Sequence, residues 1–224
     1  MNYGLLRRNI DDLINISKIE SNQMQVSTHE VDVNQVLWYL KEQYEPCARE
    51  KKLQINCSPG LSDQQSLVFT DEVKLKGILE NLLDNAVKFT EAGNISFGYT
   101  LKDHALEFFV KDTGIGMKPD EIPHIFNRFR QVDPSLNRPY EGAGLGLSLA
   151  KAYAEFLGGK IWVDSQKDEG SAFYFAIPFQ SSGTVPKGTQ NNQNQDHTEP
   201  MGSKVLVVED DQTSLEFFRE LLQE

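Results

Sequence analysis

Cysteine is nearly absent: Cys47 and Cys57 are the only two in 224 residues, with no CxxC spacing and no companion histidine. That excludes a disulfide scaffold and a Cys/His zinc site, and sets the expectation of a reduced pair in a cytoplasmic chain. Long apolar runs are missing too. Nothing approaches the roughly 18 consecutive residues that would span a bilayer, and MNYGLLRRNIDD has no signal-peptide pattern. A soluble chain without membrane contact is expected, with anchorage of a longer parent left open. Positive charge is scarce: 22 Lys and Arg against 33 Asp and Glu give a net charge of −11. A nucleic-acid backbone is therefore a poor partner, although one local cluster of donors could still hold a nucleotide's phosphates. What is present, 39% hydrophobic and 25% charged residues, suffices for one packed domain with appendages.

Leu5, Leu6, Ile10, Leu13, Ile14, Ile16 and Ile19 recur at three- and four-residue spacings and predict an amphipathic helix. It starts without a clear cap, as though continuing a longer helix. A second helix is expected from Asn34 to about Lys51, with Val36, Leu37, Leu40 and Tyr44 inward. The strands LQINCS and SLVFT follow, and then a helix from Asp71 to Thr90, with Asp71 as its N-cap. NISFGYTLK and ALEFFVKD alternate around Asp103-His104 and read as a hairpin. A glycine- and proline-punctuated stretch from Thr113 to Gly146 leads to a helix, SLAKAYAEF, that stops at Gly158-Gly159. KIWVDSQ and SAFYFAIPF form a second hairpin. The order implies an α+β fold: a two-layer sandwich with a mixed, mostly antiparallel sheet and helices on one face. Residues 181–202, rich in Gln, Asn, Gly and Ser, read as a flexible linker. KVLVVEDDQ then opens a new strand with three carboxylates at its end.

Three stretches carry chemistry. In NLLDNAVKFT, Asn81, Asn85 and Lys88 fall within an arc of roughly 60° on a helix, bordering the apolar arc of Leu75, Ile78, Leu79, Leu82 and Ala86. They either edge a buried face or present amide oxygens to a hard cation and an ammonium to phosphate. In KDTGIGM, Asp112 closes a strand before Gly114 and Gly116, which suits a tight turn or a backbone approached by a flat ligand. In EGAGLGLSLAK, Gly142, Gly144 and Gly146 lead into a helix, whose unpaired amides attract phosphate. Leu147 stands where a dinucleotide fingerprint needs its third glycine, and P-loop and serine/threonine kinase signatures are absent.

Taken in this order and with these gaps, the three motifs resemble the ATP-binding catalytic domain of sensor histidine kinases, the Bergerat-type fold shared with gyrase and mismatch-repair ATPases. The resemblance covers about residues 30–180. It implies that Asn85 holds Mg²⁺ between ATP phosphates, that Asn81 and Lys88 contact phosphate, and that Phe89 lies near adenine or ribose. It further implies Asp112 as acceptor of the adenine amine, with Gly114, Ile115 and Gly116 beside the ring, and Gly142, Gly144, Leu145, Gly146 and Leu147 on the phosphate side. IFNRF matches the phenylalanine motif, with Phe126 and Phe129 seating a lid of residues 117–141; packing alone would also explain them. Gyrase-like ATPases have a water-activating glutamate where Asn81 stands, and an amide cannot act as general base. That favours a kinase over a hydrolase; a catalytically degenerate nucleotide-binding interaction module stays as a second alternative, with Gln131 as its support.

Two positions depart from the family pattern. Gln131 stands where many members have an arginine for the γ-phosphate, with Arg128, Arg130 and Arg138 as substitutes. Ala172 stands in GSAF where many have threonine, and little effect is expected. His29-Glu30 resembles the phosphoacceptor dipeptide only superficially. Residues 1–26 resemble the distal end of the second helix of a dimerisation hairpin whose first helix would carry the acceptor. Residues 27–180 are the expected catalytic domain, and 203–224, with Glu209, Asp210 and Asp211, the truncated start of a receiver. The implied parent is a hybrid kinase, homodimeric through that hairpin, whose partners are the hairpin and a receiver or response regulator.

Overall fold

The computed structural model describes residues 3–21, 23–129 and 144–180. Helix α1 (Tyr3–Glu20) leads to a short strand, β1 (His29–Asp32), and to helix α2 (Val33–Glu50). Strands β2 (Gln54–Ser58) and β3 (Leu67–Thr70) precede α3 (Glu72–Phe89). The hairpin of β4 (Asn94–Lys102) and β5 (Ala105–Asp112) follows, and α4 (Gly146–Phe156) then leads into the hairpin of β6 (Lys160–Gln166) and β7 (Gly170–Pro178). The linker and receiver segments expected over 181–224 lie outside the described residues.

The five-stranded sheet runs β2-β4-β5-β7-β6, with β2 parallel to β4 and every other pair antiparallel. Period-two patterning assigns its faces: Ile95, Phe97, Tyr99, Leu106, Phe108, Val110, Phe173, Phe175 and Ile177 are buried against the helices. Phe108 stacks on Phe175 with ring centroids 4.6 Å apart, at the centre of that layer. The opposite face carries Trp162, Tyr174 and Phe109 in one cross-strand row, with Lys111 and Lys160 over the rings. Asp103 and His104 take left-handed backbone (φ 48° and 61°), the geometry a two-residue hairpin turn requires.

The sequence reading missed β1, and SLVFT does not join the main sheet. β3 pairs with β1 in a separate two-stranded antiparallel ribbon, Val31 opposite Val68. HEVD has only four residues and no readable alternation, so only a partner strand at Leu67–Thr70, far along the chain, defines it as a strand. The α2 helix starts one residue earlier than expected because Asp32 caps it, its carboxylate accepting the N–H groups of Asn34 and Gln35.

At the other cap, Asp71 does more than close α3. Its carboxylate accepts the N–H of Lys74 at 3.0 Å and that of Ser27 at 2.8 Å, and pairs with the Lys74 ammonium at 2.7 Å. The ammonium also donates to the carbonyl of Gln25 at 2.6 Å. Burial alone would raise the Asp71 pKa, but these three donors outweigh it and hold the carboxyl below its usual value. The strap from α1 to the sandwich is thus tied to the first turn of α3.

Candidate functional site

Helix α3 is the floor of the site. Asn81 is 7% exposed, and its amide donates to the carbonyl of Gly77 at 2.9 Å, one turn back. Asn85 is half-buried within α3, and its side chain makes no hydrogen bond among the described residues, which leaves its oxygen available to a ligand. The Lys88 ammonium lies 4.9 Å from the centre of the Phe89 ring, and desolvation pulls its pKa below the usual lysine value.

Both glycine motifs close on this helix. A Cβ at Gly114 would lie 2.4 Å from the Phe89 carbonyl, and the Ile115 N–H donates to that same oxygen at 3.3 Å. The loop after β5 therefore docks on the last turn of α3 through bare backbone. A Cβ at Gly146 would lie 2.7 Å from the Asn81 side-chain oxygen, so the start of α4 sits directly over the first of the two asparagines. Among the described residues no side chain caps that start; its N-cap is Leu145, buried and without a side-chain bond to the helix. Helix N-terminal amides without a side-chain cap among the described residues favour an anion. Gly144 precedes it at φ 68°, while Leu147 is half-buried in the first turn.

At the far wall, Asp112 ends β5 with its carboxylate accepting the N–H of Gly114 at 2.9 Å and the N–H of Ser171. Desolvation dominates and raises its pKa, because no cation pairs with it among the described residues. Gly116 holds φ 59°, and Ile115 is exposed at the rim.

Sequence reasoning missed Ser171. It stands directly opposite Asp112 in the β5–β7 register, on the same face of the sheet, and a pairing across 59 positions leaves no local signal. The same register explains Ala172: it pairs with Lys111 on the outer face, away from Asp112. Phe126 is partly buried and packs against the core. Phe129 is 68% exposed at φ 59°, held by its N–H to the Gly144 carbonyl. Arg128 is paired with Glu20 of α1. Gly142, Arg130, Gln131 and Arg138 lie outside the described residues. Glu80 pairs with Lys76, whose ammonium lies 3.7 Å from the centre of the Tyr39 ring on α2; Asn81, one position on, faces α4.

Fold and site together define an α+β nucleotide-site sandwich with one helix as floor and two glycine-bearing walls. Residues 70–181 match the histidine kinase-, DNA gyrase B- and HSP90-like ATPases, and the chain belongs to that family. It is 35% identical over 211 residues to the autoinducer 2 sensor kinase/phosphatase LuxQ of Vibrio vulnificus, covering 92% of this chain and 24% of that protein. It is 33% identical over 175 residues to the sensor histidine kinase RcsC of Escherichia coli, covering 78% of this chain and 18% of that protein. The crystal structure of full-length ShkA in complex with AMPPNP superposes with a TM-score of 0.71 at 31% identity, over 79% of this chain and 36% of ShkA. The chain thus spans a quarter or less of the two curated relatives' length. No helix among the described residues is long and apolar enough to cross a membrane.

Proposed function

We propose that this chain binds Mg·ATP and forms the catalytic module of a hybrid sensor histidine kinase, directing the γ-phosphoryl to a histidine imidazole on a dimerisation hairpin. One observation carries the reading: both glycine motifs close on α3 against the residues that would meet phosphate and base, Asn81 and Phe89. In this reading Asp112 accepts the adenine amine, with Phe89, Gly114, Ile115 and Gly116 about the ring. Lys88, Asn81 and the α4 start at Gly144, Leu145, Gly146 and Leu147 receive the phosphates, with Gly142 completing the loop. Asn85 fits the metal, since an uncommitted amide oxygen is a suitable ligand for a hard cation and Mg²⁺ takes most of its ligands from phosphate and water. When bound, the ion supplies charge neutralisation at the phosphates. The chain's own contribution is positioning and preorganised donors. An amide at position 81 leaves no base for water there, in keeping with transfer over hydrolysis.

In the same reading α1 is the end of a hairpin helix. Ile10, Leu13 and Ile14 remain about half exposed along it, an apolar stripe suited to a partner helix in a homodimer. His29 lies in β1 beside Glu72, His104 in a hairpin turn and His124 in a short 3₁₀ turn, so none of the three is on α1. The linker over 181–202 and a receiver beginning at 203, with Glu209, Asp210 and Asp211 for its metal, complete the proposal.

The test is calorimetric titration with a non-hydrolysable ATP analogue, with and without Mg²⁺, followed by addition of an acceptor hairpin and labelled ATP. Saturable Mg²⁺-dependent binding and label on the hairpin are expected. In Asn85→Ala the Mg²⁺ enhancement is expected to vanish and transfer to fall about 100-fold or more, as when one preorganised electrostatic contact is removed. Steady phosphate release without an acceptor would instead mark an ATPase. Gly146→Ala is expected to weaken analogue binding at least tenfold, because its methyl would displace the Asn81 side chain; unchanged affinity would remove Asn81 from the phosphate site.

A further inference from the structure

The adenine-side loop is gripped from behind by the turn between β6 and β7, a segment outside all three motifs. The Ser165 hydroxyl accepts the N–H of Met117 at 2.9 Å, donates to the carbonyl of Gly170 at 2.9 Å and lies 3.0 Å from the Ser171 hydroxyl. One proton and two lone pairs are thereby all used, with Ser171 as donor. The N–H of Asp168 donates to the Ile115 carbonyl at 2.7 Å. Bare backbones meet on both sides: a Cβ at Gly116 would lie 1.9 Å from the Gln166 carbonyl oxygen, and one at Gly170 would lie 2.1 Å from that of Asp112.

A loop with glycines at 114 and 116 has much conformational freedom to lose, and the shape that presents Asp112 and the backbone around Ile115 is one among many. We infer that Ser165 is a positioning residue for the nucleotide: it locks the 112–117 loop to the β6–β7 turn without touching the ligand. The inference rests on the nucleotide reading above. An unlocked loop is competent only part of the time, and apparent affinity falls by that fraction.

The experiment titrates the full chain with AMPPNP and Mg²⁺, recording thermal unfolding and amide exchange at Met117. Ser165→Ala is expected to raise Kd about five- to tenfold, the effect of losing one ordering hydrogen bond, and to speed Met117 exchange. Ser165→Thr keeps the hydroxyl and is expected to bind within about twofold of wild type, the scatter of such contexts. Ser66→Ala is the control, since that buried hydroxyl bonds Asp32 and the Asp63 carbonyl away from the site; it is expected to lower stability and leave Kd unchanged. Wild-type binding with an unaltered Ser165→Ala variant would overturn the inference and leave the nucleotide reading standing. So would equal weakening in Ser66→Ala, or weakening without faster Met117 exchange. No binding by wild type would overturn both.

Discussion

Asp112→Ala is expected to weaken binding of a non-hydrolysable ATP analogue by about 100-fold, the loss of a charge-assisted hydrogen bond at a desolvated position. The folded protein itself should hardly suffer. Asp112 is a largely buried carboxylate facing two backbone N–H groups and no cation among the described residues, and burial raises its pKa. The native chain therefore holds that proton more tightly than the unfolded chain. The contribution to stability is favourable below the ordinary value of 3.8 and is lost as pH rises through the raised one. At neutral pH the ionised group costs stability, so Asp112→Asn should melt at the same temperature or higher while binding poorly. Thermal unfolding at pH 7 beside calorimetry checks both halves. An Asn variant that binds like wild type would remove the carboxylate from base recognition, and one that unfolds would make it a structural group.

The largest effect on stability is expected from Lys74→Met. Its ammonium is buried against Asp71, also buried, and the change leaves that carboxylate with two N–H donors and no counter-charge. Breaking one side of such a pair costs about 3–5 kcal/mol. The double change Asp71→Asn with Lys74→Met should recover most of the loss, because asparagine still caps the helix and no charge is buried. The wild-type pair holds the Asp71 carboxyl below 3.8, so its contribution is complete above that pH and disappears as pH falls through the lower folded value. Urea unfolding at pH 7 measures the single and double variants. A loss under about 1 kcal/mol in the single variant, the range of exposed pairs, would mean that water reaches Asp71.

Local periodicity made most of the fold legible. The apolar arc of α3, the alternation of β4 and β5 and the Asp103-His104 turn are readable because each is set by residues within a few positions of one another. The Asp71 cap was readable as well, but its bonds to Ser27 and Lys74 were not, since only the folded strap brings residue 27 to residue 71. Asn81, Asn85, Lys88, Asp112 and the glycines stood out because their types suit phosphate, cation and close backbone approach. Ser165 and Ser171 carried no such mark. Their places follow from strand register and a turn that reaches back to a loop some fifty residues earlier. The resemblance of IFNRF to the family's phenylalanine motif gives no sign of the left-handed backbone at Phe129, which carries its ring outward.

Helix α3 is an unbroken rod of 18 residues, about 27 Å long at 1.5 Å per residue. One end is clamped by Asp71 and Lys74 to the strap from α1, and the other lies under the loop of Asp112. A helix packed along one side transmits a tilt instead of absorbing it, as a lever does. By thermodynamic reciprocity, whatever the strap does to ligand affinity at one end, the ligand must do to the strap at the other.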